Sequence, residues 1–255
     1  MKHIKKDKFL IMKKIILSFL FSSAIFAQTL YNFSNLNLNY FQWNDQTKEK
    51  TGDKDFFYLG YEGGVGWDWS EFYGYINIEN PTNSYDDGKK SLRFSAYGDY
   101  DINIKNGFKI HFQDFHLHSH DYYVNDFVIG FAYKYSIKNF WIKPFLGLHV
   151  TNDSFYNGLN GCMTGWVLNY TFKLFEQSFV LENWNEIEFL RDNEFYEIDN
   201  EPIGDGKSYG LNGEVKLWWF FYKDMSAGVR YRYADYKLGN AFYQSGFIYT
   251  LRYHF

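Results

Sequence analysis

The sequence predicts an all-β fold, a transmembrane antiparallel β-barrel of about 12 strands. Three observations lead to this fold class. Segments of about ten residues alternate apolar with polar side chains, which is the period of a strand with two unlike faces. The connections between these segments alternate between long and short, as they do in membrane barrels. The last segment, 244–255, has an almost continuous apolar face that ends on Phe255, which is typical of a closing strand with lipid outside.

The composition excludes several other classes of protein. Aromatic residues make up 24% of the 255 residues and only 3 are proline, whereas disordered chains are poor in aromatic residues. A helical membrane protein would need about 20 consecutive apolar residues for each span. The net charge of -4 gives no basic surface, so a nucleic-acid partner is not expected. Cys162 is the single cysteine, so an intramolecular disulfide is impossible.

Residues 1–27 are predicted to be a signal peptide. Lys13 and Lys14 precede a short apolar run that ends at Ala27, and polar residues follow. The run is too short for a comfortable transmembrane helix, and no cysteine follows it that would indicate a lipid anchor. The sequence leaves open whether Met1 or Met12 is the start. Residues 28–255 are then expected to form an integral barrel in the outer membrane of a Gram-negative bacterium.

Twelve segments carry the strand pattern. In the first of them an apolar row, Leu36, Leu38 and Tyr40, alternates with asparagines. In the fifth the apolar phase slips between Phe112 and Phe115, which predicts a β-bulge. The predicted strands are 34–43, 55–67, 71–79, 91–100, 108–116, 126–135, 140–150, 162–174, 178–190, 208–219, 225–234 and 244–255.

The connections are predicted to be long and polar after every odd-numbered strand and short after every even-numbered one. A β-sandwich also alternates its side chains, but it gives no reason for loop lengths in this order. Pairing the first strand with the last removes both free edges, as lipid requires. The predicted long loops are 44–54, 80–90, 117–125, 151–160, 191–207 and 235–241.

The third strand carries a family resemblance. Residues 69–81 read Trp-Ser-Glu-Phe-Tyr-Gly-Tyr-Ile-Asn-Ile-Glu-Asn-Pro, which resembles the signature of the nucleoside-specific channel-forming family of outer-membrane proteins (Tsx-like, related to the OmpK group). Segments 107–121 and 180–189 and the closing strand are similar to the family in order and spacing. The resemblance implies a monomeric, narrow twelve-stranded channel that passes nucleosides and deoxynucleosides by passive diffusion. No cofactor is expected. The histidines at 116–120 depart from the family pattern and leave the exact solute open.

The face opposite the lipid row of each strand is expected to line the lumen. On the third and ninth strands this face carries aromatic, amide and carboxylate side chains. The closing strand adds an arginine as counter-charge to the glutamates, and the fifth strand adds two histidines. The predicted solute-binding residues are Tyr73, Tyr75, Asn77, Glu79, His116, His118, Glu182, Trp184, Glu186, Glu188 and Arg252.

These residue types suit a nucleoside. Stacking of a base on an aromatic ring is worth about 1–3 kcal/mol in proteins that bind single strands. Carboxylates and amides accept hydrogen bonds from ribose hydroxyls and exocyclic amines. An acidic lumen would also disfavour phosphorylated nucleotides by repulsion. The alternative is that these side chains only fill a narrow lumen and pair with Lys109, Lys134 or Lys216.

The three histidines at alternate positions allow a weaker alternative, a metal site. His116, His118 and His120 share one strand face, and Asp114 or Asp121 could complete a transition-metal site. Histidines at this spacing are also common at a polar strand end. Hydrogen bonding to solute, with a pH dependence near neutrality, is the rival use.

Two further function classes stay open. A barrel enzyme would need a nucleophile or an acid pair at the rim; Ser119 lies between histidines, but no separate base and orienting acid stand out, so no enzyme is expected. A general small-solute porin or a structural or adhesin barrel is the other class, since about 12 strands lie between filled barrels and open porins. The expected partners are nucleosides or other small polar solutes, outer-membrane lipid and lipopolysaccharide, and the barrel-assembly machinery, for which Phe255 is a tag.

Overall fold

The computed structural model describes residues 28–86, 91–198, 201–202 and 206–255. The predicted signal peptide, 1–27, therefore lies outside the described residues. Two short helices accompany the strands, α1 (Asp45–Thr51) and α2 (Asn193–Tyr196). No helix in the described residues is long and apolar enough to cross a membrane. The strands are β1 (Thr29–Trp43), β2 (Phe56–Trp67), β3 (Ser70–Glu79), β4 (Arg93–Lys105), β5 (Phe108–His118), β6 (Tyr123–Tyr133), β7 (Tyr135–Ile137), β8 (Phe140–Asp153), β9 (Asn157–Leu174), β10 (Gln177–Phe189), β11 (Glu197–Ile198), β12 (Glu201–Pro202), β13 (Tyr209–Tyr222), β14 (Met225–Asp235) and β15 (Gln244–His254).

The sheet closes into an antiparallel barrel with twelve strand positions. Its order is β6-β5-β4-β3-β2-β1-β15-β14-β13-β10-β9-β8-β7, and β6 also pairs with β8. β6 and β7 share one position, because both lie along β8 on either side of Lys134. β11 and β12 form a separate small hairpin. The barrel predicted from the strand pattern is confirmed.

β1 and β15 close the barrel. Their register runs from Asn35 opposite His254 to Trp43 opposite Gly246. β1 also pairs with β2 over nearly its whole length, so both of its edges are satisfied. On the outer face of β15, Phe247, Tyr249 and Leu251 are close to half exposed, as expected for side chains that contact lipid.

Two of the long loops predicted from the sequence are wrong. β5 and β6 are joined by residues 119–122 alone, and β8 and β9 by 154–156. Polar residues expected to lie in a loop instead continue the ladder, with Thr151 opposite Gly158 and Asn152 opposite Asn157. The Asp153 side chain accepts from the amides of residues 155 and 156 at 2.7 Å each, which stabilises this tight connection.

The predicted bulge in the fifth strand is also wrong. β4 and β5 stay in register from Tyr100 opposite Phe112 to Tyr97 opposite Phe115. The apolar phase changes because the outer face of β5 passes from apolar residues to Asp114 and His116. This change is expected where a strand rises out of the hydrocarbon layer.

Two glycines face each other on the inner wall where a side chain would not fit. Gly130 of β6 lies opposite Gly147 of β8. A Cβ atom built on Gly130 would lie only 2.0 Å from the Leu146 carbonyl oxygen and 2.4 Å from Cα of Gly147. Both atoms belong to the backbone, so neither can move aside as a flexible side chain would.

We predict that Gly130→Ala destabilises the barrel by about 1–3 kcal/mol, the usual cost of overpacking. Urea unfolding in lipid vesicles, followed by tryptophan fluorescence, would then show a lower midpoint. Gly98→Ala is the matched control, because the nearest atom to its new Cβ would be 3.6 Å away. Equal midpoints for the two variants would contradict the close approach.

Candidate functional site: the barrel lumen

Strand alternation places nine of the eleven predicted solute-binding residues on the inner face. The pairs Tyr75–Glu62 and Glu182–Lys216 fix this face for β3 and β10, because their partners make further contacts inside the barrel. Whether these residues bind solute stays a prediction. The nine are Tyr73, Tyr75, Asn77, Glu79, Glu182, Trp184, Glu186, Glu188 and Arg252.

His116 and His118 lie on the outer wall, so their predicted place in the lumen is wrong. Gln113 of the same strand points inward, where its amide donates to Glu186 at 2.6 Å. With no shift of register after Gln113, His116 and His118 fall on the opposite face and are exposed. The sequence gives the alternation but not which face of a polar strand end is the inner one.

The structure does not bring the three histidines to one point. His116 contacts Asp114 at 2.7 Å and also Asn125, while His118 lies 3.0 Å from the Tyr85 hydroxyl. His120 contacts Asp86 at 3.0 Å. The three histidines therefore do not form the shared site that a bound metal would require.

Two other groups of the described residues have metal-ligand types close together. They are Asp99, Asp101 and His111 near the short-turn end, and Asp126, His149 and Glu188 near the loop end. Each group already contains a lysine ammonium. Lys143 lies 2.6 Å from Asp101 and 3.0 Å from Asp99, and Lys237 contacts Glu188 and lies 3.7 Å from Asp126.

Three tyrosines form an aromatic surface on the inner wall. Tyr75 of β3 lies opposite Tyr97 of β4, with ring centroids 5.2 Å apart and an angle of 11° between the rings. The Tyr73 ring lies 6.1 Å from that of Tyr97, and its hydroxyl donates to Glu62 at 3.0 Å. All three rings remain partly accessible. A flat base can stack on such a surface.

A second group of accessible side chains lies on β10 and β14. The guanidinium of Arg232 lies over the Trp184 ring, 4.6 Å from its centroid. Glu186, two residues from Trp184 on the same face, accepts only from amides, Gln113 at 2.6 Å and Asn212 at 3.3 Å. Gln113, which donates to Glu186, pairs with Asp99 of β4, and Asp99 pairs with Tyr73, so this contact joins the second group to the wall that carries the tyrosines.

Contacts across the barrel make the lumen narrow. Gln113 of β5 reaches Glu186 of β10, although β6, β8 and β9 separate these strands along the sheet. Arg230 of β14 donates to the Tyr58 hydroxyl of β2 at 3.1 Å, across β15 and β1. Side chains from β5 and β10, and from β14 and β2, thus meet inside the lumen.

The lumen is balanced in charge, so the prediction of an acidic lumen is wrong. Arg230 forms a bidentate pair with Glu214 at 2.7 and 3.0 Å, and Arg252 contacts Glu62. Sequence reasoning missed most of this cationic wall, although the alternation of Arg230 and Arg232 with two tyrosines signals it. At this level the carboxylates of Glu62, Glu182, Glu186 and Glu214 face the cations of Lys216, Arg230, Arg232 and Arg252.

Lysines predicted as alternative partners do pair with carboxylates. Lys216 lies 3.6 Å from Glu182 and from Glu214. Lys109 and Lys134 instead contact Glu71 near the short-turn end, at 3.3 and 2.7 Å. Part of the predicted site is therefore engaged in ion pairs of the barrel itself.

The loop between β14 and β15 folds into the outer mouth. Lys237 extends from this loop to Glu188 of β10 and Asp126 of β6. Arg191 holds the same region, because it contacts Glu188 at 2.8 Å and donates to the Tyr236 carbonyl at 2.9 Å. His149 lies 3.1 Å from Asp126, and its ring is almost fully buried. These side chains form a layer that narrows the entrance.

A closed twelve-position barrel with a lipid-facing exterior and a charged, narrow lumen defines an outer-membrane channel. A family model for the nucleoside-specific channel-forming protein Tsx matches residues 38–255. The chain belongs to this family, and the family resemblance seen in the third strand is confirmed. It is an integral outer-membrane protein, and it forms a channel for nucleosides.

Solved structures of other outer-membrane barrels are similar to this chain in fold. A NanC porin has a TM-score of 0.51 at 8% sequence identity, and the match covers 86% of this chain and 98% of that one. A bacterial polysaccharide outer membrane secretin has a TM-score of 0.49 at 7% identity, with 89% and 99% covered. An outer membrane channel from Pseudomonas putida F1 has a TM-score of 0.44 at 10% identity, with 90% and 97% covered.

We predict that Lys237→Met widens the outer mouth. The loop then loses its ionic contact with Glu188 and Asp126, and the lumen becomes more negative by one charge. Single-channel recordings in planar bilayers would show a higher conductance and a stronger preference for cations. Lys223→Met, in an exposed short turn, serves as the control. Identical conductance in the two variants would show that Lys237 does not narrow the entrance.

Proposed function

We propose that nucleosides cross this barrel along a path between the tyrosine surface of β3 and β4 and the Trp184 group of β10. The observation that carries the proposal is the partly accessible stacked pair Tyr75–Tyr97, on the same stretch of inner wall as Gln113, whose amide crosses the lumen to Glu186. A base would stack on the aromatic rings, while ribose hydroxyls would donate to the Glu186 carboxylate. Asn77, on the same inner face of β3, would offer a further acceptor above the rings, whereas Glu79 is paired with Arg93.

The proposed transport is passive and selective. Each stacking contact is exchanged for the next one, so binding must be strong enough to favour entry but weak enough to allow exit. The lumen offers no net charge at the level of the tyrosines, which suits an uncharged nucleoside. The barrel acts as a monomer and without enzymatic activity in this proposal. A general porin for small solutes is the competing function that the experiment below separates.

We also propose the surroundings of the barrel. Apolar side chains on the outer face contact outer-membrane lipid, and the polar outer rim near His116 contacts lipopolysaccharide. The barrel-assembly machinery inserts the chain, with Phe255 as part of its signal, and residues 1–27 act as the export signal.

We predict that nucleosides block the ion current of this channel and that Trp184→Ala or Tyr75→Ala weakens the block by about tenfold. The reason is the loss of one stacking surface, worth about 1–3 kcal/mol per base. The measurement is the half-blocking concentration of thymidine in planar bilayers. His116→Ala is the control, because its side chain lies on the outer wall.

Two results would contradict this assignment. Free passage of sugars with no block by any nucleoside would support a general porin. Equal block in the His116 and Trp184 variants would remove the proposed path from this part of the lumen.

A further inference from the structure

Arg232 differs from the other arginines that the described residues place inside the barrel. Arg93 contacts Glu79 at 2.8 Å, and Arg191, Arg230 and Arg252 each contact a glutamate as well. Arg232 donates instead to the Gly213 carbonyl oxygen at 3.1 Å and lies over an indole ring. Among the described parts of the chain, no carboxylate lies within ion-pair distance of it.

Arg232 therefore has N–H donors that remain available to a bound solute. A guanidinium has five N–H donors in a rigid plane, and the Gly213 carbonyl uses one of them. The contact with the Trp184 ring holds the guanidinium at this side of the lumen. Arg232 is also partly accessible from the lumen, unlike the buried Glu214, which pairs with Arg230.

The guanidinium of Arg232 can present two parallel N–H groups, here called its fork, and they select one kind of base edge. Two parallel N–H groups match two adjacent acceptors, such as the O6 and N7 atoms of a 6-oxopurine. Adenine has an amino donor where the oxopurine has O6. One of the two hydrogen bonds is then lost, because this amino group and an N–H of the arginine, both donors, face each other. A base bound by these two N–H groups would lie next to the Trp184 ring and would have its other edge free.

Glu186 offers the complementary half of such a site. Its carboxylate lies on the same inner face as Trp184, two residues away, and receives hydrogen bonds from amides rather than from a cation. An oxopurine has an N1–H donor next to O6, whereas the corresponding nitrogen of adenine is an acceptor. Both charged groups therefore favour the same base.

We propose that Arg232, with Glu186, is a specificity-determining residue that makes the channel prefer 6-oxopurine nucleosides to adenosine. This inference rests on the proposed path past Trp184. The selecting groups are the ones that the barrel leaves without a partner of opposite charge. The other four arginines already have a glutamate as partner and are not expected to select.

The test compares block by inosine and by adenosine, which differ at the 6-position and at N1. We expect the half-blocking concentration of inosine to be about tenfold lower in the wild-type channel, as one bidentate contact provides. Arg232→Gln should bring the two values within about twofold, while both nucleosides still block through stacking. Arg232→Lys keeps the charge but loses the fork, so it should reduce the preference similarly.

Lys134→Gln is the control for charge, because it removes one cation near the short-turn end of the lumen. It should keep the preference for inosine. The folded state of each variant is checked by the faster migration of unheated protein on a denaturing gel. If Arg232→Gln does not fold, Arg232→Lys carries the test.

The outcomes separate this inference from the proposed path. Equal block of the wild-type channel by inosine and adenosine would overturn the inference and leave the path intact. An unchanged preference in folded Arg232→Lys or Arg232→Gln protein would assign the selection to other residues. Absence of block by any nucleoside would overturn the path itself.

Discussion

The pairing of β1 with β15 is the constraint on which the rest of the structure depends. Hydrocarbon offers no hydrogen-bond partners, so a sheet edge within it would leave a row of amides and carbonyls unsatisfied. The register from Asn35 opposite His254 to Trp43 opposite Gly246 removes that edge. Closure also gives every strand an inside and an outside. The side-chain alternation then decides which residues meet lipid and which meet solute.

Closure brings many charges into a narrow space, and the barrel satisfies most of them internally. The pairs Arg230–Glu214 and Arg252–Glu62, and Lys143 with its two aspartates, join strands that lie one to three positions apart in the barrel. Removing one partner of such a buried pair leaves an uncompensated charge, which is strongly unfavourable. A carboxylate held in this way has little capacity left for a passing solute. Binding capacity therefore concentrates in the groups with neutral partners, Glu186 and Arg232.

The sequence determines the barrel and most inner positions because the two-residue period states both the strand and its faces. The third and ninth predicted strands, which are β3 and β10 in the structure, show this, since their polar rows lie in the lumen. The errors in loop length, in the bulge and in the place of the histidines share one physical cause. Beyond the hydrocarbon layer, loop residues and the side chains on both faces of a strand are all polar. The sequence pattern therefore predicts a loop at 151–160 and places His116 in the lumen. The cross-barrel partner of Glu186, Gln113, could not be predicted, because the period does not report which strands face each other.

The histidines on the outer wall show at what depth in the membrane the solute site lies. The outer face of β5 changes from Phe112 to Asp114 and His116, and the neighbouring residue of β6 is Asn125. The hydrocarbon boundary therefore passes close to Asp114 on this side of the barrel. Gln113, which contacts Glu186, lies at that boundary, and Asp126 lies beyond it, opposite Phe115. A solute entering from the loop side thus meets the Lys237 layer among the headgroups first. It reaches the aromatic and charged groups only where the wall enters the lipid.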